Sequence, residues 1–314
     1  MTVPPAAVPP VRLHPDEFGI DTALVRRLVA DQFPGWSHLP IRPAPSGTDN
    51  LTYRLGTDLA VRLPRTPSAA FRLRKELTWL PRLAPHLPLS VPVPLGEGEP
   101  APGYPLPWAV VRWIPGESAA SHIATDQEAM ARDLAAFVAA LRRIPAAGGP
   151  PPGEHNSGRG VPLAERDRAT RDAIAGLAGL IDTDAATDAW SAALSVPPWE
   201  GAITWIHGDL HSSNLVLRDG RLAAVVDFGC LGVGDPACDL MVAWTYLGPG
   251  TRPLFRDLVG ADDASWERGR GWALSVGLIA LPYYRGRDAV METMATKAIT
   301  AVLDDHRAGT TGAD

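Results

Sequence analysis

The sequence predicts an α+β chain of two lobes: a small N-terminal lobe with an antiparallel sheet and one helix, then a larger, mainly helical C-terminal lobe. Three observations point there. A length of 314 residues corresponds to about two domains. Strand-like runs crowd into the first 114 residues, whereas apolar spacing of three and four dominates from residue 126 on, interrupted by one β-rich stretch at 202–229. Hydrophobic residues at 46% against 20% charged suffice to bury a core. The expected boundaries are 1–114 for the first lobe, 115–308 for the second and 309–314 for a loose tail.

Each element has a local reason. After a Pro-rich head, Asp21 caps a helix reaching Phe33, with Leu24, Val25 and Leu28 on one face. Leu51–Leu55 and Leu59–Leu63 flank Gly56-Thr57-Asp58 and read as a hairpin. Pro67-Ser68 opens a helix to about Leu83, with Leu73, Leu77 and Leu80 at helical spacing and Glu76 beside them. Trp108 to Ile114 reads as a buried strand closed by Pro115-Gly116. Asp126 to Ile144 is a helix with Leu134, Phe137, Val138 and Leu141 in register, and a Pro/Gly loop over 145–162 follows. Further helical patterns cover 163–181, 184–195, 235–247, 252–259, 264–281 and 288–307.

Charge and cysteine usage narrow the class. A net charge of −6 argues against a nucleic-acid partner and suits a cationic small molecule. Lys75 and Lys297 are the only lysines, so 27 of the 29 basic residues are arginine. Polar residues, Gly or Pro break every apolar stretch before about 18 residues, and the first ten residues lack the basic cluster and apolar run of a signal peptide. Cys230 and Cys238 match no zinc or redox spacing. A cytoplasmic protein without membrane association is expected; the number of subunits is not readable.

Chemistry concentrates in Ile203–Leu240, ITWIHGDLHSSNLVLRDGRLAAVVDFGCLGVGDPACDL. Asp219-Gly220 between alternating apolar runs is a strong hairpin signal. A regular two-residue turn sets Asn214 opposite Val225 and makes Asp227 its diagonal neighbour on the same face, about 7–8 Å away. Asp209 lies five residues before Asn214, so three oxygen-bearing side chains gather at one end of one ribbon. An amide and a carboxylate suit magnesium, which takes hard oxygen ligands. The second carboxylate is free to accept a proton from a hydroxyl. That division of labour serves phosphoryl transfer, and an Asp with Asn five residues on, then Asp-Phe-Gly, matches the kinase template.

With HGDLHSSN, VVDFG and GDPACDL in this order, the sequence resembles the aminoglycoside phosphotransferases and their relatives in the protein-kinase-like superfamily. The resemblance extends over nearly the whole chain, including the strand ending in Pro115-Gly116 and the helix RGWALSVGLIALPYY. It implies a bilobal protein-kinase-like fold and an enzyme that transfers the γ-phosphate of ATP, with GTP also possible, to a small-molecule hydroxyl. By the same resemblance Asp209 is the general base, Asn214 and Asp227 hold Mg²⁺, and Asp235 and Asp239 are structural carboxylates. Gly47, Thr48 and Asn50 belong to a loop over the phosphates. Arg62 reaches the phosphates and pairs with Glu76, while Lys75 points about 100° away from Glu76. Arg112 and Ile114 offer a carbonyl and an N–H to adenine. An aminoglycoside or similar cationic antibiotic is the implied acceptor. His211, Glu267, Asp288 and Glu292 are candidates to contact it, although acids on late helices ordinarily form a solvated face.

Other functions stay open at this level. A kinase of choline, a sugar or another metabolite fits the same motifs. The HxDxH spacing of His207, Asp209 and His211 invites a metal-dependent hydrolase, though the other six histidines form no ligand-like cluster. A nucleotide-binding pseudokinase is the third alternative, disfavoured because every catalytic position is filled.

Overall fold

The computed structural model describes residues 17–311; the Pro-rich head lies outside them. The chain divides into two compact units. The first runs to Pro85 and resumes over Val91–Pro115; the second comprises His86–Ser90 and the chain from Gly116 onward. The excursion at His86–Ser90 has no sequence signal. Backbone bonds from Ser90 N to Ala223 O (3.2 Å) and from Val225 N to Ser90 O (3.1 Å) stitch it to the second unit.

The first unit is a five-stranded antiparallel sheet with a helix on each face. Its strands are β1 (Ile41–Pro43), β2 (Asn50–Leu55), β3 (Leu59–Pro64), β4 (Pro94–Gly98) and β5 (Trp108–Arg112), in the order β1-β2-β3-β5-β4. Helix α1 (Thr22–Gln32) starts where the Asp21 carboxylate accepts the Leu24 N–H at 2.7 Å. Its buried Leu24, Val25 and Leu28 pack with Val61 and Leu63 of β3 and Trp108 and Val110 of β5. Helix α2 (Pro67–Leu83), capped by Thr66, sets Leu73 with Ala60, Ala109 and Val111. Strand alternation places Arg62 on the same face as Ala60, toward α2. Sequence patterning passes over β1 and β4. Both are edge strands interrupted by Pro or Gly, so pairing with a neighbour, not propensity, forms them.

The second unit carries two small sheets, β7 (Thr204–Ile206) with β10 (Gly232–Gly234), and β6 (Glu117–Ser118) with β8 (Leu215–Arg218) and β9 (Arg221–Val225). Its helices are α3 (Gln127–Arg143), α4 (Asp167–Gly176), α5 (Thr183–Ser195), α6 (Val242–Thr245), α7 (Arg252–Val259), α8 (Asp263–Tyr284) and α9 (Ala289–Thr311). The helix expected over 235–247 is split. Pro236–Met241 winds as tighter 3₁₀ turns, where Asp235 and Asp239 are drawn to partners outside the segment, and only Val242–Thr245 is α-helical. Helix α9 continues to Thr311, so it takes up the first three residues of the expected 309–314 tail. The rest of that tail lies outside the described residues. No described helix is long and apolar enough to cross a membrane.

Candidate active site

Strand β7 ends at Ile206 and delivers His207-Gly208-Asp209 into a loop whose entry is clamped. The Asp239 carboxylate accepts the backbone N–H groups of His207 (2.8 Å) and Gly208 (2.7 Å). His207 is fully buried against Phe228, with ring centroids 4.5 Å apart. Its Nδ1 accepts the Asp209 backbone N–H at 3.2 Å, which puts the proton on Nε2 for donation to Val226 O at 3.1 Å. Burial, partly offset by Asp239 and Asp209, lowers the His207 pKa, which keeps the ring neutral. With both ring nitrogens committed, His207 cannot ligate a metal as the hydrolase alternative requires. Among the described residues, no group of three or more His, Cys, Asp or Glu side chains is arranged to hold a metal ion.

Asp209 is the centre of the arrangement, its side chain 25% exposed. Asn214 Nδ2 donates to both its carbonyl (2.8 Å) and its Oδ2 (3.3 Å). His211 Nδ1 accepts the Ser213 N–H, capping the turn Ser212–Asn214, which leaves Nε2 to donate to Asp209 Oδ2 at 3.3 Å. His211 is thus buried beneath Asp209, not presented to solvent. Oδ1 receives Arg159 Nη2 at 3.3 Å. Burial alone would raise the carboxyl pKa. The His211 ring with its hydrogen bond, then Arg159 and His207, outweigh it and hold Asp209 ionised well below the usual carboxylate range.

The hairpin that presents Asn214 and Asp227 departs from the regular register. Asp219 and Gly220 both have positive φ (53° and 76°), the type I′ turn that the pair predicts. Leu217 faces Leu222, as a two-residue turn requires, but the register then slips, and Val216 faces Ala224. The extra residue in β9 is a bulge. Asn214 therefore lies opposite Val226, whose N–H bonds to its carbonyl at 2.9 Å, and not opposite Val225. By simple alternation this slip would send Asp227 to the other face. Instead Asp227 adopts a left-handed conformation (φ 60°), which ends the alternation, and its Oδ1 accepts the Gly229 N–H at 3.3 Å. The bulge has no sequence signature here.

Asn214 and Asp227 suit a magnesium ion. Asn214 spends its amide hydrogens on Asp209, leaving its oxygen as the hard donor, and Asp227 supplies a carboxylate.

In the first unit, Arg62 forms a buried two-point ion pair with Glu76: Nη1 meets Oε2, and Nη2 lies 3.3 Å from Oε1. Lys75, one position earlier on α2, is also buried, at 8% exposure. The loop before β2 is held from both sides, since Arg65 Nε donates to Gly47 O (3.3 Å) and Arg72 Nη1 to Asp49 Oδ2 (2.6 Å). Gly47 is exposed and Thr48 half-buried, whereas Asn50 is buried with an Oδ1 that finds no donor. Arg112 closes β5, and Ile114 stands half-buried just beyond it.

The late-helix acids are committed elsewhere. Glu267 binds Arg270 on its own helix, Asp288 accepts the Val290 and Met291 N–H groups at the start of α9, and Glu292 accepts the Gly286 N–H. None hydrogen-bonds to the Asp209 loop. Arg159, by contrast, was invisible in the sequence because it sits in the Pro/Gly stretch 145–162, where no spacing marks it.

The family model of the phosphotransferase enzyme family matches residues 40–272. The chain belongs to that family. It is a phosphotransferase with an alcohol group as acceptor, and its protein-kinase-like fold is shared with solved structures of low sequence identity. The GDP and kanamycin complex of APH(2'')-IIia is 20% identical at a TM-score of 0.70, over 92% of this chain and 99% of that one. The macrolide 2'-phosphotransferase MphH from Brachybacterium faecium is 24% identical at 0.59, over 88% and 97%. ADP-bound aminoglycoside phosphotransferase APH(2'')-Ib is 17% identical at 0.58, over 90% and 97%. No curated protein matches the sequence of this phosphotransferase.

Proposed function

We propose that this phosphotransferase uses ATP, with GTP as a second donor, and magnesium to phosphorylate a hydroxyl of an aminoglycoside or similar cationic antibiotic. The observation that carries the reading is the carboxylate of Asp209, partly exposed and held by donors on both oxygens. Such a group orients an acceptor hydroxyl by accepting its hydrogen bond and receives the proton as the oxygen attacks the γ-phosphorus. The new P–O bond forms as the bond to the nucleoside diphosphate breaks. Asn214 and Asp227 would hold magnesium, which would supply charge neutralisation at the phosphate oxygens. Arg62, fixed by Glu76, contacts the phosphates. The backbone around Gly47, Thr48 and Asn50 covers them, and Arg112 and Ile114 meet the base.

The net charge of −6 supports a cationic acceptor, as does the similar structure solved with GDP and kanamycin. A cytoplasmic location, where the nucleotide is made, belongs to the same reading. The test follows nucleotide consumption over kanamycin, gentamicin, a macrolide and choline, with mass spectrometry of the product. Consumption with kanamycin or gentamicin and a product heavier by one phosphoryl group supports the proposal. Turnover with choline alone replaces it with a metabolite kinase.

A further inference from the structure

Arg159 lies outside every motif of the catalytic segment, yet it is a buried charge, at 9% exposure. Its Nε donates to Gly208 O at 2.6 Å and its Nη2 to Asp209 Oδ1 at 3.3 Å. One planar guanidinium thus grips the peptide before Asp209 and the carboxylate itself. The approach depends on Gly208. A Cβ there would stand 3.1 Å from both Cβ and Cγ of Arg159 and 2.7 Å from Cys230 O, and the φ of +81° is one that glycine adopts freely.

The segment carrying Arg159 is itself fixed at several points. Asn156 Nδ2 donates to Arg159 O (3.0 Å), and Gly153 N bonds to Asn156 Oδ1 (3.0 Å). Asp235 N bonds to Gly160 O (2.9 Å) and Val233 N to Pro150 O (3.0 Å), which lays the loop along β10. Beyond it, Arg166 sits 4.8 Å over the Trp272 ring and donates to Ser275 Oγ (3.0 Å), tying the stretch to α8. A Pro/Gly-rich loop with this many ties is a rigid support.

We propose that Arg159 is a positioning residue for phosphoryl transfer, holding the Asp209 carboxylate at the angle from which it meets the acceptor hydroxyl. The assignment rests on the reading of Asp209 given above. His211 and Asn214 restrain Oδ2, so Arg159 supplies the restraint on Oδ1. Without it the carboxylate can rotate about its Cβ–Cγ bond, and a small misplacement of a catalytic group costs as much as about 10²-fold in rate. Lysine, a point donor on a flexible stem, cannot span Gly208 O and Asp209 Oδ1 together.

The experiment compares wild type, Arg159→Met, Arg159→Lys, Asp209→Asn and the Arg159→Met/Asp209→Asn double variant. It reads kcat and the KM for ATP, with kanamycin and with water as acceptors, alongside ADP affinity by calorimetry and thermal melting. Arg159→Met is expected to lower kcat about 10²-fold, and Arg159→Lys about 10-fold, with the KM for ATP and ADP affinity within about twofold. In the Asp209→Asn background, Arg159→Met is expected to add less than about twofold, because the group it positions is gone. Equal losses in both backgrounds, or Arg159→Met within about threefold of wild type, overturn the proposal. Should Arg159→Met fail to fold, Arg159→Lys decides: a kcat within about twofold of wild type overturns it. Asp209→Asn at wild-type kcat would overturn the reading of Asp209 and this assignment with it. An inactive Asp209→Asn beside an unimpaired Arg159→Met overturns this assignment alone.

Discussion

Both oxygens of Asp239 are spent on the backbone entering the Asp209 loop, one on the His207 N–H and one on the Gly208 N–H. Asp239 is 1% exposed, and burial, only partly offset by His207 and the two N–H groups, raises its pKa. Asp239→Asn places an amide NH₂ against one of these N–H groups. A loss of about 2–3 kcal/mol is expected, in line with hydrogen bonds to a charged partner, measurable by urea unfolding. A drop in kcat should accompany it, because the clamp sets the start of the loop.

Asp209→Asn keeps the size of the side chain and removes its ability to take a proton. Phosphoryl transfer is expected to fall by about 10²–10⁴-fold while ADP binding is retained. Single-turnover kinetics and calorimetry separate the two, and transfer at the wild-type rate would remove Asp209 as base.

Arg62→Ala removes one ion-pair partner from Glu76 and the assigned cation from the phosphates. A rise of about tenfold or more in the KM for ATP is expected, with Lys75→Ala changing it far less. The opposite ranking in steady-state kinetics would reassign the phosphate contact to Lys75, which is also buried.

His207 carries a pH prediction. Its folded pKa lies below the ordinary 6.5, so below that pH the unfolded chain binds more protons than the folded one. Its contribution is complete above pH 6.5 and is lost as pH falls toward the folded pKa. Melting temperature should decline below pH 6.5, and His207→Asn should flatten that decline. Helix-capping carboxylates such as Asp182 and Asp262, held below 3.8 chiefly by the Ala185 and Ser265 N–H groups, lose their contribution only under more acid conditions.

Sequence legibility tracked how local each determinant is. The Asp21, Thr66 and Asp126 caps act within three residues, and their helices stand close to where the spacing puts them, with Thr66 one residue ahead of the Pro67-Ser68 signal. The Asp219-Gly220 turn is equally local. Its bulge is not, because β9 also answers to Ser90, a partner more than 130 residues away in the chain. The Arg159 contact depends on a distant chain segment in the same way, whereas β1 and β4 form by pairing with the nearby strands β2 and β5 in spite of their own weak propensity. Asp209 and Asn214 were legible because one short loop carries both. The partners of Asp288 and Glu292 are set by the start of α9, which periodicity does not resolve, whereas Glu267 meets Arg270 three residues on along α8.

Gly208 is fixed as glycine three times over, by the carbonyl oxygen of Cys230, by its own positive φ and by the stem of an arginine 49 positions earlier. The dependence therefore runs one way: the glycine is required whatever stands at 159, whereas the arginine reaches its seat only because 208 is glycine. An alanine at 208 would expel the guanidinium from its seat, and a shorter residue at 159 would leave a void beside the loop that glycine cannot fill. A lineage that loses the glycine is expected to lose the arginine contact with it, while the reverse is not required.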